Sequence, residues 1–236
     1  HTYYEKNYIS KCVETLKRVD AVNVGGPIVT LPGDKTLLAK AIALATSHPF
    51  GVGNSKFRTS NKAEYVDTVP FGAFRREIFD KIGLFNEKLP RNQDIEFNSR
   101  IRKAGFKIFL NPDIKSFYYN RSTLRGLWRQ NFINGMWNIF THVLSKNPLS
   151  TRHYVPLIFV TSLIVSIILA LMHPAGIFLF SLISASYLVA NIFFTFRIGF
   201  NHGFKVIPFL LIVFFTLHFS YGLGSIFGVL GLKQRK

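Results

Sequence analysis

Residues 66–113, VDTVPFGAFRREIFDKIGLFNEKLPRNQDIEFNSRIRKAGFKIFLNPD, decide the fold. With Glu64 and Tyr65 before it, VDTVP reads as a strand, and FGAF after it as a tight turn. REIFDKIG is a short helix, with Gly83 where a helix end favours a left-handed residue. Residues 93–104, QDIEFNSRIRKA, predict another helix with Ile95, Phe97, Ile101 and Ala104 turned inward and Gly105 as its stop. KIFLNP is a strand ended by Pro112. Strands and helices alternating in this way argue for an α/β domain.

The segments before it continue the pattern. Residues 4–19 predict an amphipathic helix with Tyr8, Cys12, Val13 and Leu16 near one face. DAVNVGGPI is a short apolar run broken by Gly25, Gly26 and Pro27, hence a strand and a turn. Residues 34–48 predict a second helix with Asp34 as N-cap. Residues 49–64 lack periodicity and read as a long loop, a place where function concentrates. Within it, Lys56 and Arg58 read as solvated charge or as phosphate contacts.

Beyond residue 113 the character changes. All 12 acidic residues lie between Glu5 and Asp113. Residues 151–236 carry only Arg152, Arg197, Lys205, Lys233, Arg235 and Lys236 as charged side chains. A long, Phe-rich, acid-free tract reads as lipid-facing protein. Residues 121–150 predict an aromatic, amphipathic interfacial helix, with a packed position on the α/β core left open. Three hydrophobic stretches follow at 154–172, 177–196 and 206–232, the first two long enough to span a bilayer. Arg197, His202 and Lys205 mark a polar loop between the second and third. Basic residues flanking the first two stretches place those flanks in the cytoplasm. The third stretch is longer than one span needs and rich in glycine, so it reads as one crossing or as a re-entrant hairpin.

The net charge of +17 does not mean nucleic acid, because the basic residues are dispersed instead of gathered in one run. A single cysteine, Cys12, rules out an internal disulfide and a cysteine-based metal site. The richest chemistry is in residues 91–105. Asp94 begins a helix, where the N-terminus favours its anion, and Arg91 is close by. A carboxylate so placed reads as a general base or as a helix cap, and Arg100 as an ion-pair partner; spacing leaves both open.

From Val66 onward the chain resembles glycosyltransferase family 2, in particular bacterial enzymes that extend exopolysaccharides such as succinoglycan. The elements that carry the likeness are Gly72 with Arg76, Phe85-Asn86-Glu87, the Gln93-Asp94 pair and Arg100, in that order. The resemblance covers roughly residues 1–140. It implies a partial GT-A domain over residues 1–120, an interfacial helix over 121–150 and an all-α transmembrane region over 151–236. It further implies inverting transfer from a nucleotide-sugar donor to a lipid-linked saccharide, in a multi-pass plasma-membrane protein with its catalytic part in the cytoplasm. Asp94 would be the catalytic base. Phe71, Gly72, Arg91, Gln93, Arg100, Arg129 and Gln130 would contact substrate. His1 matches the last member of an Asp-x-Asp or Asp-x-His motif that holds a divalent metal, Mg or Mn, and reads otherwise as a plain histidine. On this alignment the first nucleotide-binding units lie upstream, and these residues alone are expected to be inactive.

Two departures bear on mechanism. Gln93 stands where glutamate is usual. Gln130-Asn131-Phe132-Ile133-Asn134 keeps only the glutamine of the Gln-x-x-Arg-Trp motif of processive members, which favours single-sugar addition. Two further classes stand beside the enzyme: a non-catalytic membrane scaffold in a glycan-synthesis complex, and a transport subunit. The stretches 154–172 and 177–196 contain no ionisable pair, which speaks against a transport pathway.

Overall fold

The computed structural model describes residues 2–145 and 150–232. His1, and the basic residues Lys146, Lys233, Arg235 and Lys236 that bear on topology, lie outside them. By packing, the chain divides into two units. One comprises residues 1–31, 47–119 and 141–150, the other 32–46, 120–140 and 151–236.

The first unit is α/β. Its elements, with those of the second unit numbered in chain order, begin with β1 (Thr2–Tyr4), α1 (Tyr8–Arg18), β2 (Asn23–Gly25) and β3 (Ile28–Leu31). After α2 (Leu37–Thr46) come two single-turn helices, α3 (Pro49–Val52) and α4 (Lys56–Thr59), inside the expected loop. Then follow β4 (Glu64–Tyr65), β5 (Ala73–Phe74), α5 (Glu77–Ile82), α6 (Gln93–Lys103), β6 (Ile108–Leu110) and β7 (Ser116–Tyr119).

The strands form two mixed sheets, in the orders β4-β6-β2-β5 and β1-β7-β3. In the first, β2 runs parallel to β6 and antiparallel to β5, so Asn23 sits between Ile108 and Phe74 at the sheet's centre. Val69, Ile78, Phe97, Ile101, Ile108 and Leu110 form a buried cluster joining α5 and α6 to this sheet. Tyr8, Cys12, Ala21, Val24 and Ile114 form a second cluster under α1. Burial pushes the Cys12 thiol up to about 11, which leaves it an inert core residue.

The expected inward face of α6 holds at Phe97 and Ile101, both fully buried. Ala104 is exposed, because it is the capping residue where the helix turns away. Gly83 and Gly105 take φ of +78° and +84°, closing α5 and α6 as expected.

The second unit is helical. It holds α2, most of α7 (Leu124–Ser145), and then α8 (Val155–Ala170), α9 (Pro174–His202) and α10 (Ile207–Leu232). Three helical segments, 151–170, 174–202 and 204–231, are long and apolar enough to cross a membrane. Contrary to a sequence division at residue 120, α2 packs here: Ala39, Ala41, Ile42, Ala43 and Ala45 are buried, and Lys40 Nζ donates to the carbonyl of His202 at 2.9 Å. A helix so short of charge finds its apolar partners in the bundle.

In the tail one expectation changes and one open alternative is decided. The polar loop marked by Arg197 and His202 is instead helical, because α9 continues to His202 before Gly203 ends it with φ +103°. The glycine-rich end of the third stretch is not a hairpin; α10 is one continuous helix of 26 residues. Its glycines mark helix contacts. A Cβ on Gly224 would run into the backbone of Phe132, one on Gly228 into that of Met136, and one on Gly222 into that of Pro156. Small residues that let backbones approach are the usual cement of membrane helices.

Candidate functional site

The candidate site is built on one end of the four-stranded sheet. Between Thr68 and β5 the chain turns sharply through Phe71, which takes φ +50°. A bulky residue in that region carries strain and persists only where its surroundings hold it. Here the Tyr8 hydroxyl donates to the Phe71 carbonyl at 2.8 Å, and the Tyr4 ring meets the Phe71 ring edge-on at 5.4 Å. Burial raises the Tyr8 hydroxyl well above its ordinary pKa, so it remains a donor. The Phe71 side chain is left exposed. At Gly72 a Cβ would overlap the Asn23 side-chain amide, so the turn closes on that amide only because residue 72 has none.

Opposite this turn in sequence, Asn92 takes φ +61° and starts α6. Gln93 and Asp94 form its first turn, with Arg91 just before; all three are exposed. Asp94 is exposed as a residue, yet the surrounding protein partly desolvates its carboxyl. That desolvation pushes its pKa above the ordinary carboxylate value, while its own N–H and that of Ile95 pull it down. A carboxylate poised in this way is fitted to accept a proton.

Arg100, two turns on, is committed elsewhere. Its Nε donates to Glu96 Oε1 at 2.8 Å and its Nη2 to Oε2 at 3.0 Å. Further bonds run to the carbonyls of Ile82 and, at 2.7 Å, Leu84. Arg100 therefore ties α6 to the end of α5, and the ion-pair partner that the sequence left unnamed is Glu96. Lys56 pairs with Glu64 at 3.2 Å. Arg58 donates to the Thr30 hydroxyl at 3.2 Å and faces the Tyr118 ring at 5.9 Å. Arg129 and Gln130 lie on α7 in the other unit, where Gln130 accepts from Arg121 Nε at 2.9 Å.

Sequence reasoning passed over the polar groups behind Asp94. Asn23 Nδ2 donates to Asn98 Oδ1 at 2.7 Å, and Asn98 Nδ2 donates to the Thr68 hydroxyl at 2.8 Å. All three residues are buried. Their partners lie 75 and 30 residues apart in the chain, so no local pattern announces them. For the expected divalent metal, no group of three His, Cys, Asp or Glu residues is positioned to hold an ion among the described residues.

No family model matches the chain. It is similar to two curated proteins. One is a dolichyl N-acetyl-α-D-glucosaminyl phosphate 3-β-D-2,3-diacetamido-2,3-dideoxy-β-D-glucuronosyltransferase of Methanococcus voltae, 28% identical over 141 residues, 57% of this chain and 43% of the relative. The other is the succinoglycan biosynthesis protein ExoA of Rhizobium meliloti, 30% identical over 132 residues, 56% of this chain and 39% of the relative. The chain thus spans well under half of the length of either relative within the matched region. Mixed sheets with helices, followed by long apolar helices, agree with a partial GT-A domain joined to a helical membrane region.

Proposed function

We propose that the full natural chain is an inverting glycosyltransferase of the family 2 type. It moves one sugar from a nucleotide-sugar donor to a lipid-linked saccharide in exopolysaccharide or cell-surface glycan synthesis. The observation that carries this is Asp94: a partly desolvated carboxyl with raised pKa at the start of α6, on the segment where the motif resemblance is densest. The name of the Methanococcus voltae relative, a dolichyl-phosphate sugar transferase, supports the reaction class and the lipid-linked acceptor, and that of the Rhizobium meliloti relative supports exopolysaccharide synthesis.

In the proposed reaction an acceptor hydroxyl oxygen attacks the anomeric carbon of the donor sugar. The bond from that carbon to the diphosphate oxygen breaks on the opposite face, so the configuration inverts. Asp94 takes the hydroxyl proton as the new bond forms, and the nucleoside diphosphate leaves with the bonding electron pair. Phe71, Gly72, Arg91 and Gln93 belong to the proposed acceptor side. A divalent ion with His1 as ligand is part of the same proposal, and the described residues supply no complete ligand set for it. The reading places the protein in the plasma membrane, and the basic flanks of the apolar segments support this chemistry on the cytoplasmic side. These 236 residues alone are proposed to transfer no sugar.

The test is sugar transfer by membranes carrying the full natural chain, its Asp94→Asn variant, or residues 1–236 alone. Transfer by the full chain and its loss in the variant support the base assignment. Full activity in Asp94→Asn overturns it, and transfer by the full chain no greater than that of membranes lacking it favours a non-catalytic scaffold.

A further inference from the structure

We propose that Asn98 and Asn23 are positioning residues for the base, an inference that rests on the assignment of Asp94. Asn98 lies one helical turn after Asp94, so the two side chains rise from the same face of α6. Asn98 is 1% exposed, Asn23 is fully buried and Thr68 is 5% exposed. The amide chain Asn23–Asn98–Thr68 thus joins three separate segments in the interior: the central strand β2, the helix that presents Asp94, and the run into the Phe71–Gly72 turn.

Two features show that this chain serves placement. Asn23 Oδ1 has no hydrogen-bond partner, although it is buried. An apolar side chain at that position would avoid the unmet acceptor, so cohesion alone does not account for an asparagine. That oxygen also faces Gly72, where any Cβ would strike it. The turn is therefore seated directly on the amide that holds α6. Hydrogen bonds of 2.7 and 2.8 Å have directional optima that apolar contacts lack, so they fix the rotation and height of α6 relative to the turn. Small displacements of a base from its proton donor cost rate far more than binding.

The experiment uses the full natural chain in membranes, with transfer measured against pH and acceptor concentration. Asn98→Leu removes both amide bonds at similar volume, and Thr68→Val removes one at nearly equal shape. We expect kcat to fall roughly 10- to 100-fold in Asn98→Leu and about 3- to 10-fold in Thr68→Val, with KM for the acceptor within about twofold. The acid limb of kcat should move in both, and Thr68→Ser, which restores the hydroxyl, should recover most of the loss. If Asn98→Leu does not fold, Thr68→Val carries the test. Wild-type kcat and an unmoved acid limb in a folded Thr68→Val protein overturn the positioning role, even if thermal stability falls. Full activity in Asp94→Asn overturns the base assignment itself, and the positioning role with it.

Discussion

The two units bury polar groups to different ends. In the α/β unit such groups join segments remote in sequence: Asn23 to Asn98, Asn98 to Thr68, Asn111 to Thr15 at 2.8 Å, and Arg100 to the end of α5. In the helical unit many hydroxyls bond back into their own helix. Ser166 donates to Leu163, Ser220 to Thr216 and Ser225 to Tyr221, while glycines bring helix backbones together. Other groups cross between helices: the Tyr187 hydroxyl meets His218 Nδ1 at 3.0 Å, the Tyr221 hydroxyl bonds Asn138 and His153, and Asn191 Nδ2 donates to the Leu211 carbonyl at 3.2 Å. The contrast is one of residue type: around α6 buried amides and a threonine hydroxyl join separate segments, whereas the serines of the apolar helices bond within their own helix.

The sharpest way to break the contrast is Asp94→Asn. It should lower transfer by roughly 10²- to 10⁴-fold, the usual span for a lost general base, read as initial rates with protein level controlled. Its effect on stability should run the other way. The folded-state pKa of Asp94 lies above its unfolded value, so the folded state binds the proton more tightly. Stability from this group is present at low pH and declines as pH rises through the window between the two values. At neutral pH the asparagine variant should therefore melt higher than wild type, and that advantage should vanish below the ordinary carboxylate range. Activity should fall as pH drops through the raised pKa.

The next effect concerns Arg100→Leu. It leaves Glu96, 3% exposed, without its bidentate partner and frees the carbonyls of Ile82 and Leu84. We expect a loss of about 3 kcal/mol, the lower end for a broken buried pair because the arginine is partly exposed, with faster amide hydrogen exchange along α5 and α6. In the helical unit, Gly224→Leu pushes α10 off the Phe132 backbone and should cost about 1–3 kcal/mol, seen as a lower melting temperature in detergent. The smallest effect is expected for Ser220→Ala, whose hydroxyl serves only its own helix: about 1 kcal/mol or less by the same melting assay. A larger loss there would erase the contrast.

These differences follow what a sequence can express. The helices α1, α5 and α6 were legible because spacing, caps and stop glycines are local. The strands β1, β3 and β7 were not, being three or four residues long with too few positions to show alternation. The glycines of α10 read as breaks because nothing local reveals a facing backbone. Arg197 and His202 suggested a loop because charge outweighed an otherwise continuous apolar run. Within the site, Asp94 and an ion-pairing role for Arg100 were visible, whereas Asn23 and Thr68 acquire meaning only when folding brings them to Asn98. Phe71 was named for its place after a strand, and its left-handed backbone had no sequence signal, since that conformation is normally left to glycine or asparagine.

The interleaving of the units has a practical consequence for dissection. The segment 32–46 is flanked on both sides by stretches of the α/β unit, yet its helix belongs with the apolar bundle. Stopping translation at residue 119 would therefore not release a water-soluble α/β piece. It would carry α2 along, with the buried faces of Ala39, Ile42, Ala43 and Ala45 stripped of the helices that cover them, and the product would precipitate or seek detergent. A soluble version needs 32–46 replaced by a polar linker between Leu31 and Ser47 and the chain ended after β7, which also removes residues 141–150 of the same unit.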